Sequence, residues 1–337
     1  MATIFDVANR AGVSIKTVSR VLNNASNVRP QTQKKVQLAM RELEYHPSFA
    51  ARELRSGQSE AIGIIFSDPS GGFQGRLHSA ALSACRDAGC FLTAALIEEG
   101  SDNWADQLAE FLNRTRIRRM ILVPPFCDSA DLREQLREEG VTFTLISPSI
   151  PAADAVSLGM NEEQAAYEVT QHLVSLGHER IGHIAGIEDH VATQLRKAGF
   201  LRALAEAGLE ARENWLGVGA FNFRDARDVA RQMLADPGER PTAIFAANDE
   251  MAAAVCYTAS SLGLTVPDDL SVAGFDDVAI ATAIWPPLTT VSQPFTAIAA
   301  EAVRRLVEPD PEADQGQNEA LECRLIIRES TAPPPVG

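Results

Sequence analysis

Apolar residues fall at helical spacing at the start of this 337-residue chain. Ile4, Val7 and Ala8 make one face of a first helix, with Thr3 as its N-cap and Asp6 as the capping-box partner. Gly12 ends that helix, because glycine tolerates the backbone angles of a tight turn. Ser14 caps a second helix from about Ile15 to Leu22, with Val18, Val21 and Leu22 as its buried stripe. Lys16, Thr17, Ser19 and Arg20 stay outside, with Ile15 beside them at the first turn. A third helix starts at Pro30, which suits a first helical turn, and repeats Val36, Ala39, Met40 and Leu43 on one face. That face can close a small core on Val7, Val18 and Val21. Pro47 ends the third helix by disfavouring helix in the residue before it. Ser48 then caps Phe49 to Arg55, a segment too short to be stable alone.

From Ala61 the pattern changes to short, continuous apolar runs. Strands are predicted at Ile62 to Phe66, Phe91 to Leu96, Met120 to Val123, Thr142 to Ile146, Ile181 to Ile184, Ala243 to Ala246 and Leu270 to Ala273. Helical stretches separate them, among them Gly75 to Ala88, Asp102 to Asn113, Gln164 to Leu176 and Asp225 to Leu234. Such alternation predicts an α/β fold of parallel sheets with helices on both faces, in two units of roughly 61–158 and 159–290.

Charge sharpens the division. Residues 1–59 carry nine Lys/Arg against four Asp/Glu, a net +5, so that the rest of the chain, at a total of −15, stands at −20. A basic module on an acidic body predicts that only the N-terminal part docks on nucleic acid. A helix that exposes Ile15, Lys16, Thr17, Ser19 and Arg20 suits the major groove, although an ordinary helical hairpin with a solvated basic face shares its spacing. Arg29, Lys34 and Lys35 can position the module on phosphates, or stand as solvated cations. The five cysteines are irregularly spaced, and buried free thiols are the expectation. No apolar run reaches membrane-spanning length and no secretory signal is read, which places the chain in the cytosol. There is no G-x-G-x-x-G after a strand, no zincin spacing around His178, Glu179 and His183, and no nucleophile elbow. The reading therefore assigns no cofactor, no metal and no catalytic set.

Asp6 to Asn23 satisfy the pattern D-V-A-x-x-A-G-V-S-x-x-T-V-S-R-V-L-N at every fixed position. The stretch resembles the DNA-binding headpiece of the lactose-repressor/galactose-repressor (LacI/GalR) family. The resemblance implies a helix-turn-helix headpiece over 1–47, with Ile15 and Lys16 at the variable specificity positions and Arg20 as the guanine reader. Thr3, Ser14, Thr17, Ser19 and Arg29 complete the expected DNA-facing set. It also implies a hinge helix within 48–60, with Leu54 as the wedge that opens a base step.

The body resembles that family's periplasmic-binding-protein-like core at Leu176 to Ile181, Arg196-x-x-Gly199-Phe200, Ala247 to Ala252, Gly274 to Asp277 and Pro287 to Val291. This implies an effector-binding and dimerisation core over 61–331. One subdomain would take about 61–158 and 292–320, the other about 159–291 and 321–331, with three crossings between them. Arg196, Asn248 and Asp276 match the polar ligand contacts, and Phe73, Phe221 and Phe295 match positions that cover a ring. Asn248 and Asp276 can equally be turn residues capping helices, and Phe221 a core residue. The family's Asn-Pro-Phe reads Gly71-Gly72-Phe73 here, and its Asp ahead of the Tyr167 helix reads Asn161, which unsettles the ligand's identity more than the site. The proline-rich tail lacks heptads, which favours a homodimer over a tetramer. The expected function is a repressor on a palindromic operator, controlled by a sugar or related polyol. A solute-binding protein or an enzyme on a doubly wound fold are the other readings the body alone would allow.

Overall fold

A computed structural model describes residues 2–22, 28–45, 59–67, 72–97, 101, 103–150, 155–309 and 318–335. The chain divides into two compact units, residues 1–60 and 61–337.

The first unit holds α1 (Ile4–Ala11), α2 (Ile15–Leu22) and α3 (Pro30–Glu42). Thr3 and Asp6 form the capping box: the Asp6 amide bonds the Thr3 hydroxyl oxygen at 3.4 Å and the Thr3 amide donates to the Asp6 carboxylate at 2.8 Å. Those hydrogen bonds from Thr3 hold the Asp6 carboxyl below its ordinary range. Gly12 sits left-handed at φ 65°, which lets Val13 turn back to the Ala8 carbonyl at 3.0 Å. Val7, Val18 and Val36 are fully buried at the centre, with Ala8, Val21 and Ala39 around them. Burial of each such valine contributes about 1.5 kcal/mol or more. Leu22 is only half-buried, at the edge of this core. The expected hinge segment, Leu54 included, lies outside the described residues.

The second unit has two parallel sheets. The first runs in the order β11-β5-β4-β3-β1-β2. Its strands are β1 (Ala61–Phe66), β2 (Phe91–Leu96), β3 (Arg119–Leu122), β4 (Thr142–Ile146), β5 (Val156–Met160) and β11 (Asn318–Leu321). The second runs β7-β6-β8-β9, from β6 (Ile181–Ala185), β7 (Leu216–Val218), β8 (Ala243–Ala246) and β9 (Ser271–Ala273). An antiparallel pair, β10 (Thr290–Ser292) with β12 (Arg324–Ile326), accompanies them. Helices cover the sheets: α4 (Gly72–Asp87), α5 (Trp104–Thr115), α6 (Ala130–Glu138), α7 (Glu162–Ser175), α8 (Val191–Glu206), α9 (Phe223–Met233), α10 (Asp249–Ser261), α11 (Ile280–Ala283) and α12 (Phe295–Val307). β1 is buried at every position, as a strand with both faces covered must be.

Sequence periodicity leaves several of these elements unmarked. β5 is broken by Ser157 and Gly159, and β7 and β10 are three residues each. α10 buries residues all round, so it has no polar face to set a period.

The chain passes between the two lobes at three places: between β5 and α7, after β10, and between β11 and β12. After β10 it returns to the first lobe, where α12 packs on α4. The passages are tied together. The Asn161 side-chain oxygen accepts from the Cys323 amide at 2.7 Å, and the Asn161 amide donates to the Leu321 carbonyl at 3.1 Å. Beyond β12 the tail joins the second lobe, where the Ser330 hydroxyl donates to Val272 and the buried His178 ring meets the Ala332 carbonyl at 2.9 Å. All five cysteines are buried, and none is in a disulfide.

Candidate functional site

On the headpiece, α2 presents its first turn outward. Ile15 is 39% exposed and Lys16 and Arg20 are exposed, while Val18 and Val21 point into the core. The Ser14 hydroxyl accepts from the Thr17 amide at 3.2 Å and shares a hydrogen bond with the Thr17 hydroxyl at 2.9 Å. This cap fixes the turn that aims Ile15 and Lys16. Ser19 is half-buried. Arg29 is exposed just ahead of Pro30, at the start of α3. Thr3 lies on the exposed side, but its hydroxyl is engaged with Asp6 at 2.7 Å.

In the second unit, a cleft of about 350 Å³ opens between the lobes. Its walls are the loops at the carboxyl ends of the parallel strands, where open α/β sheets bind ligands. Phe73, Gln74 and Ser147 come from the first lobe; Arg196, Phe221, Asn248 and Asp276 come from the second. Several wall residues hold left-handed backbone that only glycine adopts freely: Ser147 at φ 49°, Phe221 at 59° and Asp276 at 107°. Such strain costs on the order of 1–3 kcal/mol per residue and concentrates at ligand sites. Gly186 makes room for Phe221: a Cβ there would stand 2.1 Å from the ring.

Asn248 caps a helix and also stands on the cleft wall. Its side-chain oxygen caps α10 on the Met251 amide at 2.9 Å, its amide nitrogen donates to the Phe221 carbonyl at 3.1 Å, and the residue lines the cleft. Asp276 caps no helix. It accepts from the Gln293 amide at 2.5 Å and stands 3.5 Å from Arg196. Phe295 departs from expectation. It is 3% exposed and lies behind Phe73, ring centroids 5.5 Å apart, off the cleft wall. The start of α12 buries it under α4, so it supports Phe73 rather than meeting a ligand.

Glu162, at the start of α7, is a wall residue that the motifs did not reveal. Its carboxylate accepts from Arg196 Nε at 2.9 Å, and both side chains are 4% exposed. Arg196 also donates to the Ala247 carbonyl, and its guanidinium lies 3.9 Å above the Phe275 ring. Burial works against the Arg196 charge, but Glu162 and Asp276 more than reverse this and raise its pKa. Asp276 is pushed up to about 7 by burial, against the pull of Arg196 and with a further push from Glu162. Behind it, Asp249 accepts from the Thr290 hydroxyl at 2.5 Å and the Val278 amide at 2.9 Å, and burial together with the charge of Asp276 pushes it up to about 8. The signal that could have found Glu162 is an acidic residue opening a helix directly after a buried strand.

His178 and His183 do not converge on one site. His178 faces Thr242 at 3.0 Å and the C-terminal tail, and His183 is stacked between Phe200 and Phe245 in the core. Among the described residues no group of three or more His, Cys, Asp or Glu is placed to hold a metal ion, and no helix is long and apolar enough to cross a membrane.

Comparison with known proteins agrees with this architecture. Residues 3–48 match the family described as bacterial regulatory proteins, lacI family, and residues 170–331 match the periplasmic binding protein-like domain. The HTH-type transcriptional repressor PurR of Photobacterium profundum is 35% identical over 333 residues, 98% of both chains. Catabolite control protein A of Priestia megaterium is 33% identical over 333 residues, 98% of this chain and 99% of that one. Among solved structures, the lac repressor dimer bound to operator and the anti-inducer ONPF superposes with a TM-score of 0.77 at 29% identity, covering 98% of this chain and 99% of that one. The transcriptional regulator CelR–cellobiose complex gives 0.73 at 28% identity, covering 98% and 100%. With its helix-turn-helix headpiece and two-lobed ligand-binding core, the chain belongs to the LacI family of bacterial DNA-binding transcriptional regulators.

Proposed function

We propose that this regulator acts in the cytoplasm as a homodimeric repressor of a palindromic operator, released or engaged by a sugar or related polyol held between its lobes. The observation that carries the reading is the cleft wall, where Arg196, Phe221, Asn248 and Asp276 of one lobe face Phe73 of the other. A guanidinium donates to hydroxyls, a carboxylate accepts from them, an amide does both, and phenyl rings cover a sugar's apolar face. A similar fold carries cellobiose in the CelR complex.

On the DNA side, Arg20 makes the bidentate guanine contact, Lys16 donates to a neighbouring base, Ile15 meets a thymine methyl, and Leu54 wedges the central step. Thr17 and Ser19 support the reading helix, and Arg29 contacts phosphate. Exposed Leu96 on the edge strand β2 and Leu82 on α4 supply apolar surface for the second copy. The effector works by binding one relation of the lobes more tightly than another, since a ligand of equal affinity for both would shift nothing.

The test has two arms. Fluorescence anisotropy on palindromic duplexes selected from a random library compares wild type with Arg20→Ala and Leu54→Ala at matched salt. Arg20→Ala should lose about 1–3 kcal/mol of discrimination at one base pair, and Leu54→Ala should lose operator bending. Unchanged binding by both variants sinks the DNA assignment. A thermal-shift panel of neutral sugars identifies the effector, because a ligand that binds only the folded state raises the midpoint.

A further inference from the structure

We infer that Glu162 makes the cleft refuse anionic ligands, so that the effector is an uncharged, hydroxyl-rich molecule and not a phosphorylated or carboxylated one. The inference rests on the reading of the cleft as an effector site and narrows its chemistry.

Four carboxylates, Asp128, Glu162, Glu250 and Asp276, stand on the cleft wall. Among the described residues, Arg196 is the permanently cationic side chain that lines it. That guanidinium would be the natural receptor for a phosphate or carboxylate. Two of its three nitrogens are already engaged. Nε serves Glu162, Nη1 serves the Ala247 carbonyl and faces Asp276, and one face of the plane is covered by Phe275.

An anion that took the Nε side of Arg196 would have to displace Glu162. That would strand a carboxylate whose side chain is 4% exposed, a heavy penalty in a low-dielectric site. The buried triad also carries two carboxylates for one guanidinium, so a further anion would add to an excess of acidic groups. A neutral hydroxyl meets no such penalty. The Ser147 hydroxyl is nine-tenths buried, lies on the same wall, and has no hydrogen-bond partner among the described residues. It can both donate to and accept from a ligand hydroxyl. A cavity of about 350 Å³ suits one ring-sized molecule.

The experiment uses the purified full-length chain, with calorimetry and thermal unfolding at constant ionic strength. The probes are sulfate, glucose 6-phosphate and a panel of neutral sugars, applied to wild type and Glu162→Gln. Wild type should show no saturable binding of either anion. Glu162→Gln frees a donor of Arg196 and should bind sulfate at least about tenfold more tightly than wild type. If Glu162→Gln does not fold, Asp276→Asn removes the other carboxylate from Arg196, and the same gain is expected. Saturable binding of glucose 6-phosphate or sulfate by wild type, lost in Arg196→Met, overturns the inference and leaves the effector cleft standing. A folded Glu162→Gln as blind to sulfate as wild type overturns it as well. The effector reading fails separately: Glu162→Gln would gain sulfate binding while no compound of either kind altered operator affinity.

Discussion

Asp249 offers a stability test that isolates one buried carboxyl. It is fully buried in the second lobe, where it holds the Val278 amide and the Thr290 hydroxyl at the start of a crossing between lobes. Its folded-state pKa, about 8, lies far above the ordinary 3.8, first because of burial and then because of Asp276. The native state therefore keeps a proton that the unfolded chain has already lost. Its stabilising contribution is fully present below about pH 4 and is lost as pH rises towards 8. At 1.36 kcal/mol per pH unit, the cost at pH 7 is about 4 kcal/mol. Asp249→Asn removes the ionisation and keeps the geometry: the amide oxygen accepts from Val278, and the Thr290 hydroxyl turns from donor to acceptor. Asp276 remains in both proteins, so its own slope largely cancels in the comparison. The variant should be more stable than wild type at pH 7.5, and the gap should widen by about 3 kcal/mol between pH 5 and 7.5. For a unit of this size that is roughly 6–12 °C in the unfolding midpoint. Differential scanning fluorimetry across that range, at fixed ionic strength, measures it. A gap that stays flat with pH, or a variant less stable than wild type at pH 7.5, would refute the assignment of a protonated Asp249.

Three further outcomes follow from the packing. Gly199→Ala should destabilise the core by about 2–3 kcal/mol in urea unfolding, net of a helix-propensity gain of about 1, because its Cβ would stand 2.1 Å from the Glu163 carbonyl and force α7 and α8 apart. Gly186→Ala should fold but lose effector affinity about tenfold or more by calorimetry, since the new methyl must push the Phe221 ring into the cleft. Thr3→Ala should cost the headpiece about 1 kcal/mol by removing its capping box, seen as faster hydrogen exchange in α1 with the core unchanged.

The headpiece was legible almost residue by residue, because each of its signals is local. A cap acts over three residues, a glycine on its own backbone, and a valine stripe over two turns. Thr3, Asp6, Gly12 and Val18 therefore stand where their spacing put them. The strands of the core were legible where they run continuously apolar, as at Ala61–Phe66, and illegible where serine and glycine interrupt them, as at Val156–Met160. Phe295 shows the limit of position alone. Its place beside Phe73 is real, but the packing of α12 under α4 turns it away from the cleft.

Sequence by itself determined the helix-turn-helix, its basic charge against an acidic body and the succession of parallel strands. Only the tertiary structure decided that Glu162, Arg196 and Asp276 form one buried cluster. Glu162 opens α7, Arg196 lies within α8 and Asp276 follows β9, and no spacing along the chain relates them. The order of strands in two sheets and the three crossings between lobes bring them to a common edge. Once there, exclusion of water makes each charge depend on the others, which is why the selectivity of the cleft is a property of the fold and not of any motif.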